Sequence, residues 1–73
     1  MPRNNRVSDA EFAIIRRYYN ELGTNWQLIV SRTRRDVAGN EFITEDVQGM
    51  WRNNSDQQLR RRVREAVQNR VQG

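Results

Sequence analysis

A chain of 73 residues has room for one domain and no more. It has neither cysteine nor histidine, and its 13 basic residues are all arginine, which excludes disulfides, structural zinc, histidine-based catalysis and Schiff-base lysine chemistry. The net charge of +4 is unevenly distributed: residues 1–51 hold 7 Arg and 7 acids, whereas residues 52–73 hold 6 Arg and 2 acids, so the whole excess follows Trp51.

Residues 1–7, "MPRNNRV", are polar and read as a flexible basic arm carrying Arg3 and Arg6. Ser8-Asp9-Ala10-Glu11 has the S-x-x-E pattern of a capping box, with Val7 and Phe12 placed as a hydrophobic staple. A helix over about Asp9 to Glu21 follows, with Phe12, Ile15, Tyr19 and Leu22 on one apolar face and Gly23 as its stop. Thr24-Asn25-Trp26-Gln27 reads as a second box, T-x-x-Q, opening a helix whose apolar positions are Trp26, Ile29, Val30 and Thr33 and whose end is expected near Arg34 or Arg35. The loop "DVAGNEF" offers Val37 and Phe42 to the core.

Thr44 caps a third helix, with Glu45 and Asp46 in its first turn, where they complement the positive end of the helix dipole. Val47, Met50 and Trp51 form its apolar face. Asn53-Asn54 breaks it, and Ser55-Asp56 begins a fourth helix running to about Val71. That helix has an apolar stripe of Leu59, Val63, Val67 and Val71 surrounded by Arg60, Arg61, Arg62 and Arg64. Three capped helices with aromatics inside describe an all-α helix-turn-helix bundle.

"F..I..YYNELGTNWQLIVSRT" followed by "ITEDVQGMWRN" resembles the Myb/SANT domain over about Val7 to Asn54. The resemblance implies three helices around spaced tryptophans, with the third helix entering the DNA major groove. Leu22-Gly23-Thr24-Asn25-Trp26 corresponds to the family's glycine-x-x-tryptophan turn, and Trp51-Arg52 to its last core tryptophan and the following arginine. Val7 or Phe12 stands where the first tryptophan is usual. Trp26 and Trp51 are 25 positions apart, similar to the longer connection of the telomere-repeat-binding branch. That branch's third helix, V-D-L-K-D-K-W-R, laid on Glu45 to Arg52, matches at Asp46 and Trp51-Arg52. Glu45 and Gln48 occupy the positions of its base-reading valine and lysine.

The expected architecture is therefore a three-helix Myb/SANT-type domain over residues 8–54, preceded by the arm and followed by a basic amphipathic helix over 55–73. No enzyme is expected: no histidine or lysine is present to activate Ser8, Ser31 or Ser55, the acids do not converge, and no glycine-rich phosphate loop is present. The expected function is reading double-stranded DNA, with no cofactor, metal or small-molecule substrate.

In that role a carboxylate of Glu45 or Asp46 accepts from a cytosine amino group, or both simply open the helix; Gln48 pairs with adenine or is solvated. Gly49 admits a close approach or is a tolerated interruption costing about 1 kcal/mol. Arg52 and Arg60, Arg61, Arg62 and Arg64 bind phosphates, with solvated surface positions or a localisation signal as the alternative, and Arg3 and Arg6 enter the minor groove. The alternative function is a SANT-type interaction module for a histone tail or partner subunit, with Leu59, Val63, Val67 and Val71 serving a partner helix or self-association. No apolar run approaches the roughly 20 residues of a membrane span and no secretory h-region is present, so a soluble nuclear protein is expected.

Overall fold

The Ser8 side chain accepts from the Glu11 backbone while the Glu11 carboxylate accepts from the Ser8 N–H at 3.1 Å, so the first helix opens on the capping box that the sequence predicts. The computed structural model describes residues 7–70; the arm residues Arg3 and Arg6, and Val71, lie outside them. Among the described residues there are four helices and no strands: α1 (Asp9–Leu22), α2 (Trp26–Val37), α3 (Glu45–Asn53) and α4 (Asp56–Arg70). Gly23 closes α1 at φ 65°, a left-handed backbone that favours glycine, and donates its N–H to the Tyr19 carbonyl.

Two helix ends differ from the sequence reading. Asn25, not Thr24, caps α2: its side-chain oxygen accepts from the Leu28 N–H at 3.2 Å. Asn is at least as good a cap as Thr, and Ile29, Val30 and Thr33 lie on the inner face of the helix. The helix also runs on to Val37, because Val37 is fully buried and holds the last turn against the core. At α4 the Ser55 N–H donates to the Gln58 side chain and Ser55 Oγ accepts from the Gln58 N–H, an S-x-x-Q box that the sequence reading missed.

The principal revision concerns α4. Leu59, Val63, Ala66 and Val67 are buried together with Ile15, Ile29, Val30, Val37 and Trp51 in one cluster. α2 packs most extensively on α1 and α4 and more lightly on α3, and α4 also touches α1. Leu59, Val63 and Val67 are therefore core and not free for a partner helix or for self-association. The physical reason is the inner face of α2: the nine-residue α3 is too short to cover it, and α4 does so.

The aromatics also sort differently from the expectation. Trp51 is buried, but Trp26 is half-buried and stacks on Tyr19 with ring centroids 5.9 Å apart. Phe42, expected to fold inward, is 81% exposed, and Ile43 takes the core position beside it. On α1 the buried positions are Glu11, Ile15 and Tyr18, a face turned slightly from the predicted one.

Candidate nucleic-acid interface

The orientation of α3 is fixed from inside. Trp51 lies on the core, and its indole N–H donates to Glu11 Oε2 at 2.6 Å. With that face inward, Glu45, Asp46, Arg52 and Asn53 are exposed and Gly49 is half-buried between them. The helix start is conventional: Thr44 Oγ1 accepts from the Val47 N–H, and the two carboxylates stand in the first turn. Four of the five α3 residues expected to face DNA thus share the outward side. The fifth, Gln48, does not project freely. Its amide donates to the carbonyls of Asn40 at 2.7 Å and Ile43 at 3.0 Å, fastening the α2–α3 loop.

Gly49 has an open surround. A methyl group there would meet only Arg52 Nη2, at 3.8 Å. No close approach within the domain therefore requires a glycine at this position.

The arginines divide into structural and surface groups. Arg62, expected on phosphate, turns inward. Its Nε lies 2.9 Å from Glu11 Oε2 and its Nη2 3.1 Å from Oε1, with 16% of the Arg62 side chain and none of the Glu11 side chain exposed. Glu11 is thus a hub, joining the Ser8 cap on α1, the Trp51 indole on α3 and a bidentate guanidinium on α4. Arg34 is a second clasp: it donates to the carbonyls of Trp51 and Asn54 and to the Asp56 carboxylate, tying the end of α3 to the start of α4. Arg70 pairs with Asp9 and lies over the Phe12 ring, 4.8 Å from its centroid. Arg61 pairs with Glu65 at 3.2 Å.

Arg16, Arg17, Arg32, Arg52, Arg60 and Arg64 are exposed and form no ion pair among the described residues. Of the four helix-α4 arginines expected on phosphate, Arg60, Arg61 and Arg64 are on the surface and Arg62 is not. Sequence reasoning missed the Glu11 hub and the Arg34 clasp. A signal for the first exists: Glu11 lies four and seven positions before Ile15 and Tyr18, on the buried stripe of α1. For Arg34 there is none, because its partners are mostly backbone carbonyls.

Two hollows accompany these surfaces. The larger, about 590 Å³, is floored by Val7, Leu59 and Ala66 and rimmed by Arg61, Arg62 and Arg70, but those three guanidiniums are already engaged by Glu65, Glu11 and Asp9. The smaller, about 330 Å³, lies between α2 and α3 and is lined by Arg34, Arg35, Ala38, Trp51 and Arg52 among others. Between α1 and α2 the Tyr18 hydroxyl donates to the Asp36 carboxylate, and that hydrogen bond, with burial, raises the Tyr18 pKa above its usual 10.0. No group of His, Cys, Asp or Glu among the described residues could hold a metal ion, and none of the described helices is long and apolar enough to cross a membrane.

Comparison of the chain with family models, with curated proteins and with solved structures finds no match.

Proposed function

We propose that this chain is a double-stranded DNA-binding domain of the Myb/SANT-like, helix-turn-helix type, with the outward side of α3 in the major groove and surface arginines on phosphates. The observation that carries this reading is the sorting of the guanidiniums. Those needed for folding, Arg34 and Arg62, are turned inward onto carbonyls and carboxylates. Arg16, Arg17, Arg32, Arg52, Arg60 and Arg64 have no internal acid to satisfy them. Guanidinium forks match phosphate oxygens bidentately, and each phosphate neutralised releases condensed counterions. In this reading the carboxylates of Glu45 and Asp46 face the bases and Arg52 binds phosphate. Gln48 holds the loop that positions them.

Fluorescence anisotropy with a random duplex at two salt concentrations tests the proposal. Arg60→Ala and Arg64→Ala should each weaken binding to every sequence alike and flatten the slope of log K against log salt by about 1. No detectable binding to a duplex at low salt would overturn it.

One observation favours a second reading, a protein-interaction module of the SANT type. The start of α3 carries exposed Glu45 and Asp46, close in sequence to exposed Glu41 and Phe42, and carboxylates repel phosphate. Under that reading duplex affinity is absent, and Glu45→Gln with Asp46→Gln weakens binding to an arginine-rich peptide.

A further inference from the structure

Phe42 is the one large hydrophobic side chain that is strongly exposed among the described residues, and it is held in place. Its N–H donates to Asn40 Oδ1 at 2.9 Å, the Asn40 N–H to the Val37 carbonyl at 3.1 Å, and the Ile43 N–H to the Asn40 carbonyl at 3.0 Å. Gly39 permits the turn at φ 78°. The next residue, Ile43, is anchored in the core at 4% exposure, and the Gln48 amide clamps the Asn40 and Ile43 carbonyls. An aromatic ring presented on a pre-ordered loop loses little conformational freedom on docking, which is the property of a binding anchor.

The chain also carries a socket of matching chemistry. The α2–α3 groove, about 330 Å³, has Trp51 and Ala38 in its lining and Arg35 and Arg52 exposed along it. The carbon stems of arginines are apolar, and their guanidiniums are attracted to the face of an aromatic ring. Glu41 in the loop and Glu45 and Asp46 in the first turn of α3, all close to Phe42 in sequence, are exposed and form no ion pair among the described residues, so the segment around Phe42 is acidic where the groove is basic. Loop and groove adjoin: Ala38 begins the loop and lines the groove, and Gln48 lines the groove while binding the loop. A knob and a socket in one continuous patch meet the requirement of an isologous two-fold contact, in which each copy gives its knob and receives its partner's.

We infer that Phe42 docks into the α2–α3 groove of a second copy of this chain, pairing two molecules about a two-fold axis, with Glu41, Glu45 and Asp46 of one copy against Arg35 and Arg52 of the other. This contact does not depend on the DNA reading. It uses Arg52, so self-association and phosphate binding by that residue exclude each other, whereas Arg60 and Arg64 do not line the groove.

Sedimentation equilibrium without nucleic acid, over concentrations on the order of 10 µM to 1 mM, tests the inference in the range of weak interfaces. The wild-type mass should rise toward that of a dimer and stop there. Phe42→Ala should stay monomeric with an unchanged melt, since the ring contributes little to the core. Two charge-reversed chains give the sharper test. One carries Glu45→Arg and Asp46→Arg, the other Arg35→Glu and Arg52→Glu. Each alone should be monomeric, because like charges then face each other at both contacts. Mixed in equal amounts they should form heterodimers, because both contacts regain opposite charges. The inference is overturned by a wild type that stays monomeric throughout, by association unaffected in Phe42→Ala, by a mixture that remains monomeric, or by growth past the dimer into open chains. None of these results bears on duplex affinity, which anisotropy reports separately.

Discussion

Replacing Arg62 by alanine should be among the most damaging single changes in this domain, although Arg62 sits in a run of arginines that resembles a solvated surface. Arg62 supplies two charge-assisted hydrogen bonds, at 2.9 and 3.1 Å, to a carboxylate with no exposed side-chain surface. Removing one partner of a buried ion pair costs about 3–5 kcal/mol, because the remaining charge has neither water nor counterion. The lower end applies here: Glu11 would keep the Ser8 N–H and the Trp51 indole as donors. A loss of about 3 kcal/mol compares with a total stability of roughly 4–11 kcal/mol for a chain this long, and it corresponds to a fall in Tm of about 12–24 °C. Thermal melts followed by circular dichroism would measure it, with Arg64→Ala as the control expected to remain within about 0.5 kcal/mol of the parent. Glu11→Gln keeps an acceptor for the indole while removing the charge, so Arg62→Ala should cost much less in that background, and the double-mutant cycle isolates the pair. If Arg62→Ala melted within a degree or two of the parent, the Glu11 carboxylate would have to be hydrated, and the account of the core as a sealed hub would be wrong.

Ending the chain at Ser55 should unfold the domain, since it removes Leu59, Val63, Ala66 and Val67 from the core together with the Arg62 partner of Glu11; a cooperative melt retained by that truncation would refute the four-helix core. Gly49→Ala should stabilise by about 1 kcal/mol, because the added methyl meets only Arg52 Nη2 at 3.8 Å, and chemical denaturation would register the gain. Above pH 10 the domain should lose stability: with the Tyr18 pKa raised in the folded state, the unfolded chain releases that proton first, so the contribution is complete below the ordinary value of 10.0 and disappears as pH rises through the folded one. Absorbance titration of tyrosinate should show Tyr18 ionising above 10.0, and Asp36→Asn, which removes the charge, should lower that midpoint.

Local chemistry was readable wherever a side chain acts on its own backbone. Ser8, Gly23 and Thr44 delimit helices as their types and spacing require, and the break at Asn53-Asn54 falls where two poor helix formers meet. The choice of Asn25 over Thr24 was not readable, because two adjacent residues are competent caps. Long-range destinations were the least legible. Arg60, Arg62 and Arg64 look equivalent along the chain, yet the helical phase that buries Leu59, Val63 and Ala66 points Arg62 toward Glu11, 51 positions away. Phe42 and Ile43 are adjacent hydrophobes, and the loop closed by Asn40 and Gln48 decides which one enters the core. On α3, four of the five expected outward positions follow from Trp51 facing inward, and Gln48 departs because loop carbonyls lie within its reach.

The Glu11 hub also carries information about ancestry. Its three side chains lie on three helices, with Trp51 40 positions and Arg62 51 positions from the acid. None of them is dispensable singly: an alanine at residue 62 strands a carboxylate, an apolar residue at 11 strands an indole and a guanidinium, and a phenylalanine at 51 deprives the carboxylate of a donor. Substitution must therefore be concerted, and descendants of this chain should either keep all three or replace them as a set. A glutamate, a tryptophan and an arginine at these spacings, with the cap at Ser8, are therefore the positions at which any chain sharing this core should agree with it, whatever its surface.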